Sequence, residues 1–157
     1  MPNPSPHIAI LFEHPEWFQL LFAELDRRGI TYDQIISTRL FYDPKVRTSP
    51  YPLVVNRMSP SAYLRGNANA IFFVREYLRY LKEIGVEVVN GYEAYMVETS
   101  KASQIGIFES LGVKYPSAVL INHPSQVMRA AYGLTYPVIV KPNIGGSGAK
   151  IQLFNDP

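Results

Sequence analysis

Three glycines in four positions, Gly145, Gly146 and Gly148, stand with Ser147 between two lysines, Lys141 and Lys150. Glycine reaches positive φ at little cost and leaves its N–H uncovered by a side chain. Successive N–H groups in such a stretch make a concave site for an anion such as phosphate. The same residues also suit an unliganded hairpin loop, and the loop by itself does not choose between the two. It is neither of the familiar phosphate motifs. A P-loop needs Gly-Lys-Ser/Thr opening a helix, whereas Lys150 follows Ala149 and the next residues, Ile151, Gln152, Leu153 and Phe154, alternate like a strand. A dinucleotide fingerprint would follow the first strand, where the chain has His14-Pro15-Glu16 and no glycine. What remains is a phosphate loop between the two strands of a hairpin.

The strand before the loop adds chemistry. Ile139 and Lys141 share one face by the period of two. There an apolar side chain can pack on a nucleobase while the ammonium meets a phosphate. The plainer reading is a core isoleucine beside a lysine that reaches solvent. Pro142 restricts Lys141 to extended backbone and so fixes its direction. Lys101 is the second cation of interest, in the first turn of an expected helix, where the macrodipole disfavours positive charge by about 0.3–1 kcal/mol. A bound polyphosphate would reverse that local field, and a solvent-screened surface lysine would tolerate it. Elsewhere, Glu13 with His14 is either a substrate-side pair or an accident of a strand end. Arg57 either holds a substrate carboxylate in two-pronged fashion or pairs with a local acid.

These residues need elements to place them. Residues 7–13 form an apolar run, the look of a strand buried on both faces. Pro15 suits the first turn of a helix, which continues through Phe18, Leu21, Phe22 and Leu25 and stops at Gly29. A second strand is expected over 32–37, a proline-rich loop over 42–52, a third strand over 53–56 and a turn at Ser59-Pro60. Ile71, Val74, Leu78 and Leu81 mark a long helix over 68–84, and 86–89 a fourth strand ending at Asn90-Gly91. Strands alternating with helices predict an α/β fold: a Rossmann-like unit over 1–95 with a mostly parallel sheet covered on both sides. A second unit over 96–157 begins with a helix capped by Thr99 or Ser100 and ended near Leu111 by Gly112. A strand over 117–121, a short helix over 125–131 and strands over 137–141 and 149–154 complete it.

Composition sets outer bounds. The 157 residues are 47% hydrophobic and 18% charged, as in ordinary globular domains. A formal charge of +2 without basic clusters gives no reason to expect a nucleic-acid partner. No apolar run approaches the length a membrane helix needs. Residues 1–6 carry no basic segment leading into an apolar one, so no signal peptide is expected. Cysteine is absent, which excludes disulfides and thiolate chemistry and suits a cytoplasmic setting.

Taken together, Ser100-Lys101, the strand Tyr-Pro-Val-Ile-Val-Lys-Pro over 136–142 and Gly-Gly-Ser-Gly-Ala-Lys over 145–150 resemble the ATP-grasp superfamily. The likeness is to the glutathione synthetase and RimK-type glutamate ligase branch, which Asn56-Arg57-Met58-Ser59 also resembles. It implies a pre-ATP-grasp unit over 1–95 and the beginning of an ATP-grasp domain over 96–157. It further implies that Lys101 and Lys141 bracket the ATP phosphates, that Ile139 packs on adenine, and that Gly145, Gly146, Ser147 and Gly148 close over the phosphates. Arg57 would then serve the substrate. The implied activity joins a small carboxylate to an amine (an amino acid, peptide or protein terminus) through an acyl phosphate, with ATP and Mg2+. Family members carry adenine-hinge residues and magnesium-binding acids beyond the point matching Pro157, so the chain is expected to be the front part of such an enzyme. The apolar pair of strands around the loop, left with an open edge, points the same way. The competing readings are a non-catalytic nucleotide-binding or regulatory module and, less consistent with the missing glycine fingerprint, a nicotinamide-dependent enzyme. Neither the catalytic residues nor the oligomeric state, a homo-oligomer included, is legible.

Overall fold

Five consecutive apolar residues are stable in a strand only where both faces are covered, and the computed structural model, which describes residues 7–156, places β1 (Ile8–Phe12) in that position. β1 lies inside a four-stranded sheet of order β2-β1-β3-β4, with β2 (Tyr32–Ile36), β3 (Leu53–Asn56) and β4 (Glu87–Val89). All three pairings are parallel, with Leu11 opposite Ile35 on one side and Asn56 on the other. Alternation along β1 then divides the core. Ala9 and Leu11 pack with Val54 and with Val74, Leu78 and Leu81 of α2 (Ala68–Glu83). Ile10 and Phe12 pack with Phe18 and with Phe22 and Leu25 of α1 (Gln19–Arg27). The sheet expected from the strand–helix alternation is therefore present, with apolar cover on both faces.

Local chemistry explains most of the boundaries. Pro15 opens a 3-10 turn, Pro15–Phe18, before α1 begins, and Gly29 ends that helix in the left-handed region at φ 64. The Ser59-Pro60 turn is in fact the start of a 3-10 segment, Pro60–Arg65, in which the Ser59 hydroxyl accepts from the Ser61 N–H. Asn56, buried at the end of β3, donates to the Asn90 carbonyl at 2.9 Å and accepts from the Met58 N–H at 3.0 Å. It thereby fixes the chain that carries Arg57. A short helix, α3 (Tyr92–Glu98), has no counterpart in the sequence reading. Its Tyr95 is wholly buried and donates its hydroxyl to the Ile71 carbonyl at 3.1 Å.

The chain divides into two units, the first running to Met96 and the second starting at Val97, so the boundary falls inside α3. The second contains α4 (Lys101–Ser110), a 3-10 turn (Pro124–Gln126), α5 (Val127–Ala131) and an antiparallel hairpin of β5 (Val138–Val140) and β6 (Gln152–Phe154). Both hairpin strands are shorter than expected, and Lys141 stands one residue beyond β5. The strand expected over 117–121 does not form: those residues are irregular, and Val119, Leu120 and Ile121 are exposed. An apolar run signals burial, but a strand also needs a neighbour to take its hydrogen bonds. Residues 1–6, where the leader was sought, lie outside the described residues.

Leu78 is fully buried under the sheet, whereas Leu20, on α1, is 87% exposed. Leu78→Ala is expected to lower the unfolding free energy by about 2–5 kcal/mol. Leu20→Ala should stay within about 0.5 kcal/mol of the parent. Urea denaturation followed by circular dichroism reads both, and equal losses would contradict this core.

Candidate functional site

A helix begins with N–H groups that no residue of the helix can accept, and at α4 the glycine loop meets this need. Ser100 caps the helix, its hydroxyl accepting from the Ser103 N–H at 3.2 Å. The two N–H groups before that one go to a single residue of the loop. The Asn143 carbonyl accepts from the Lys101 N–H at 3.1 Å, and its side-chain Oδ1 accepts from the Ala102 N–H at 2.8 Å. The Asn143 amide also donates to the Ser100 hydroxyl at 3.3 Å.

Lys101 is drawn into the same contact. Its Nζ donates to the carbonyls of Asn143 and Gly145, each at 3.4 Å. Burial first, and then the charge of Lys141, push the Lys101 ammonium below its ordinary pKa of 10.5. A lysine so depressed opposes folding while protonated, and the opposition is relieved as pH rises through its folded value. The two lysines expected to bracket an anion therefore lie near enough to repel one another. Beyond Gly145 the loop closes by two hydrogen bonds, Ala149 N–H to Gly146 at 3.2 Å and Ile151 N–H to Gly148 at 3.4 Å. Ser147, Gly148 and Lys150 all take left-handed backbone, at φ 57, 69 and 58, a conformation costly for the two non-glycines and common at ligand clamps. Ile139 pairs with Leu153 across the hairpin and is 53% exposed, an open apolar surface two residues before Lys141.

The first unit offers a second arrangement. The chain leaves β1 for β2 on one side and returns to β3 on the other, so the carboxyl ends of β1 and β3 flank the topological switch point, where open parallel sheets bind ligands. Glu13 follows β1 there and is 6% exposed. The Arg65 Nε donates to both of its oxygens at 3.0 and 2.9 Å, and Asn67 donates to Oε1 at 2.6 Å. Arg65 Nη2 completes the ion pair. Burial pushes the Glu13 carboxyl up, but the hydrogen bonds from Arg65 and Asn67 and the Arg65 charge outweigh it, and the net shift is downward from 4.5. Glu13 thus anchors Arg65. His14 stacks on Trp17 at 4.5 Å, and Arg65 lies over the Trp17 ring at 4.9 Å. Arg57 follows β3, donates its N–H to Leu11 at 2.7 Å and is exposed, its guanidinium over Phe18 at 5.4 Å. It makes no ion pair among the described residues.

Of the residues singled out in the sequence, Lys101 meets Gly145 directly and feels the charge of Lys141, and Gly146, Ser147 and Gly148 form the turn beside them. Arg57 belongs to the first unit. Sequence reasoning missed Asn143, which its position between the lysine strand and the glycines could have flagged, and Arg65 with Asn67, for which a buried glutamate 52 and 54 residues away gives no local signal. A shallow depression of about 700 Å3 lies at the opposite, amino ends of β1 and β2, lined by His7, Tyr32 and Asp33 among others, away from the Glu13–Arg65 arrangement of the same unit. There Asp33 accepts from Tyr51 at 2.7 Å, and burial together with that carboxylate pushes the Tyr51 phenol up to about 12. Among the described residues no three His, Asp or Glu side chains gather to hold a metal ion, and no helix is long and apolar enough to cross a membrane.

Solved structures share this architecture. A RimK-domain ATP-grasp protein from Sphaerobacter thermophilus superimposes with a TM-score of 0.72 at 16% identity, over 96% of this chain and 54% of its own. The ATP-grasp ligase PsnB matches in complex with a minimal precursor, at a TM-score of 0.61, 18% identity and 96% and 56% coverage. It matches again with precursor peptide PsnA2 and AMPPNP, at 0.60, 18%, 98% and 59%. The chain therefore has the fold of the N-terminal portion of ATP-grasp ligases, and spans a little over half the length of the structures it matches. No family model and no curated protein sequence matches it.

Because the folded Glu13 carboxyl titrates below its usual 4.5, its contribution to stability is complete above that pH and is lost as pH falls through the depressed value. Glu13→Gln should lower the melting temperature near pH 7, by an amount matching about 1–3 kcal/mol for an incompletely paired, half-buried Arg65. The gap between variant and parent should narrow below about pH 4.5. A gap independent of pH in a thermal-shift series would refute the ion pair as its source.

Proposed function

We propose that this chain is the front part of an ATP-dependent carboxylate–amine ligase, in which the second unit binds the nucleotide phosphates. The observation that carries the reading is Lys101 and Lys141 held within each other's field beside a glycine turn, in a fold shared with ATP-grasp ligases. Mutual repulsion is a standing cost that a polyphosphate removes, so the pair favours a highly charged anion over a neutral ligand. Lys101 and Lys141 would neutralise phosphate oxygens, N–H groups of residues 145–148 would line them, and Ile139 would lie against the base. In phosphoryl transfer the protein acts mainly by positioning and by meeting the charge that develops on the transferred group.

In the reaction proposed, a carboxylate oxygen of the substrate attacks the γ-phosphorus and ADP departs, leaving an acyl phosphate. An amine nitrogen then attacks the acyl carbon, phosphate departs, the nitrogen loses a proton, and an amide results. Magnesium, present in the PsnB complex with ADP, would supply further charge neutralisation. The described residues contain no cluster suited to hold it, and no step assigned to this chain depends on it. Arg57, exposed and free of an acid at the switch-point end of the sheet, is proposed to meet the substrate carboxylate. The acid and amine are proposed to be of amino-acid or peptide character, in keeping with the precursor peptides bound by PsnB.

A charge-assisted contact is worth about 1.5–3 kcal/mol, and 1.4 kcal/mol is about a factor of ten. Lys101→Met and Lys141→Met should each weaken ATP binding by the intact protein by roughly tenfold to a hundredfold, measured by calorimetry. The melting temperature of nucleotide-free Lys101→Met should hold or rise, since the native charge opposes both the helix dipole and Lys141. Lys82, ion-paired with Glu93 on the surface of the first unit, is the control. ATP binding that falls as far in Lys82→Met as in the other two would refute the site.

A further inference from the structure

We propose that Asn143 is a positioning residue for the phosphate site, clasping the glycine loop to the start of α4 so that Lys101 and Lys141 are presented together. The inference rests on the ATP reading above and concerns a residue that the reading does not use. Asn143 lies two residues after Lys141, and both of its carbonyl groups are directed into the first turn of α4. Ser100 already caps that helix, so the helix needs only a local acceptor for its remaining N–H groups. What it receives instead is a residue from 42 positions away that carries the loop with it.

Two consequences separate this clasp from an ordinary cap. A helix start is commonly an anion site because its N–H groups are open. Here the first three are taken, by Asn143 twice and by Ser100 once. An anion must then be met by the two ammonium groups and the loop N–H groups, whose relative placement depends on the clasp. The second consequence concerns repulsion. Lys101 and Lys141 lie 40 residues apart in the chain and repel one another, while backbone hydrogen bonds from Ala149 to Gly146 and from Ile151 to Gly148 close the loop beyond Gly145. Ordering such a segment at the moment of binding costs conformational entropy, and ordering it beforehand raises affinity.

A double-mutant cycle on the intact protein tests this, with AMPPNP affinity measured by calorimetry and melting temperature alongside. Asn143→Ala should weaken binding at least fivefold. In a Lys101→Met background the same change should weaken it less than twofold further, because the clasp then has no ammonium on α4 to align with Lys141 and the loop. Equal losses in the two backgrounds would mean a general structural role and overturn the proposal, as would unchanged affinity in Asn143→Ala. Failure of the underlying reading looks different: the unsubstituted protein would not bind the nucleotide, or Lys101→Met would bind it unimpaired. Should Asn143→Ala prove too unstable to measure, Ser100→Ala removes the hydroxyl from the same clasp and is read by the same criteria.

Discussion

The first turn of α4 has to hold a cation against the positive end of a helix and beside a second cation, and the architecture of the second unit around it answers that constraint. Nothing in helix propensity favours Lys101 at this position, since the dipole and Lys141 act in the same unfavourable direction. The opposing contributions are polar and specific: the Ser100 cap, the paired carbonyls of Asn143, and the carbonyls of Asn143 and Gly145 that accept from the Lys101 ammonium. At 3.4 Å the last two are long for charge-assisted bonds. They hold the ammonium loosely.

The first unit solves a different problem with an ion pair on a buried carboxylate. Removing Glu13 from water is expensive, while Arg65 stays partly exposed, and buried pairs seldom stabilise a fold as well as apolar residues of the same volume would. What the pair provides is direction. With Nε and Nη2 committed to Glu13 and Asn67 sharing the load, Arg65 is fixed over a Trp17 ring that is itself 53% exposed. The half-open Trp17 ring and the exposed Arg57 both stand at the end of the sheet where parallel α/β folds place their ligands.

The sequence made the frame of the first unit readable because its elements carry strong period signals. β1 is apolar throughout, α2 repeats Ile71, Val74, Leu78 and Leu81, and Gly29 marks a stop that the backbone needs at φ 64. The readings that went astray had only local information. Residues 117–121 are as apolar as a strand but form no ladder, and α3 is too short to show a periodicity of its own. In the proposed site, Lys101, Lys141 and the glycines drew notice by their types and spacing alone. Those that hold them did not. Asn143, Arg65 and Asn67 owe their roles to partners 41 to 54 residues away, and an asparagine beside a proline reads first as a turn residue.

That division follows from the chemistry. A ligand contact demands a residue type, such as an ammonium or an uncovered N–H, so it leaves a compositional trace. A support demands only that some donor and acceptor meet at the right place, which many residue types can satisfy and which only the fold decides. The backbone of the loop carries the same lesson. Ser147 and Lys150 hold left-handed conformations that glycine would take at no cost, although glycine stands at three neighbouring positions. A loop meant only to be flexible would have no reason to place side chains there. Strained non-glycine residues persist where the surroundings over-determine them, and in this loop the over-determination enters at Asn143, where the chain is tied to the helix before its glycines begin.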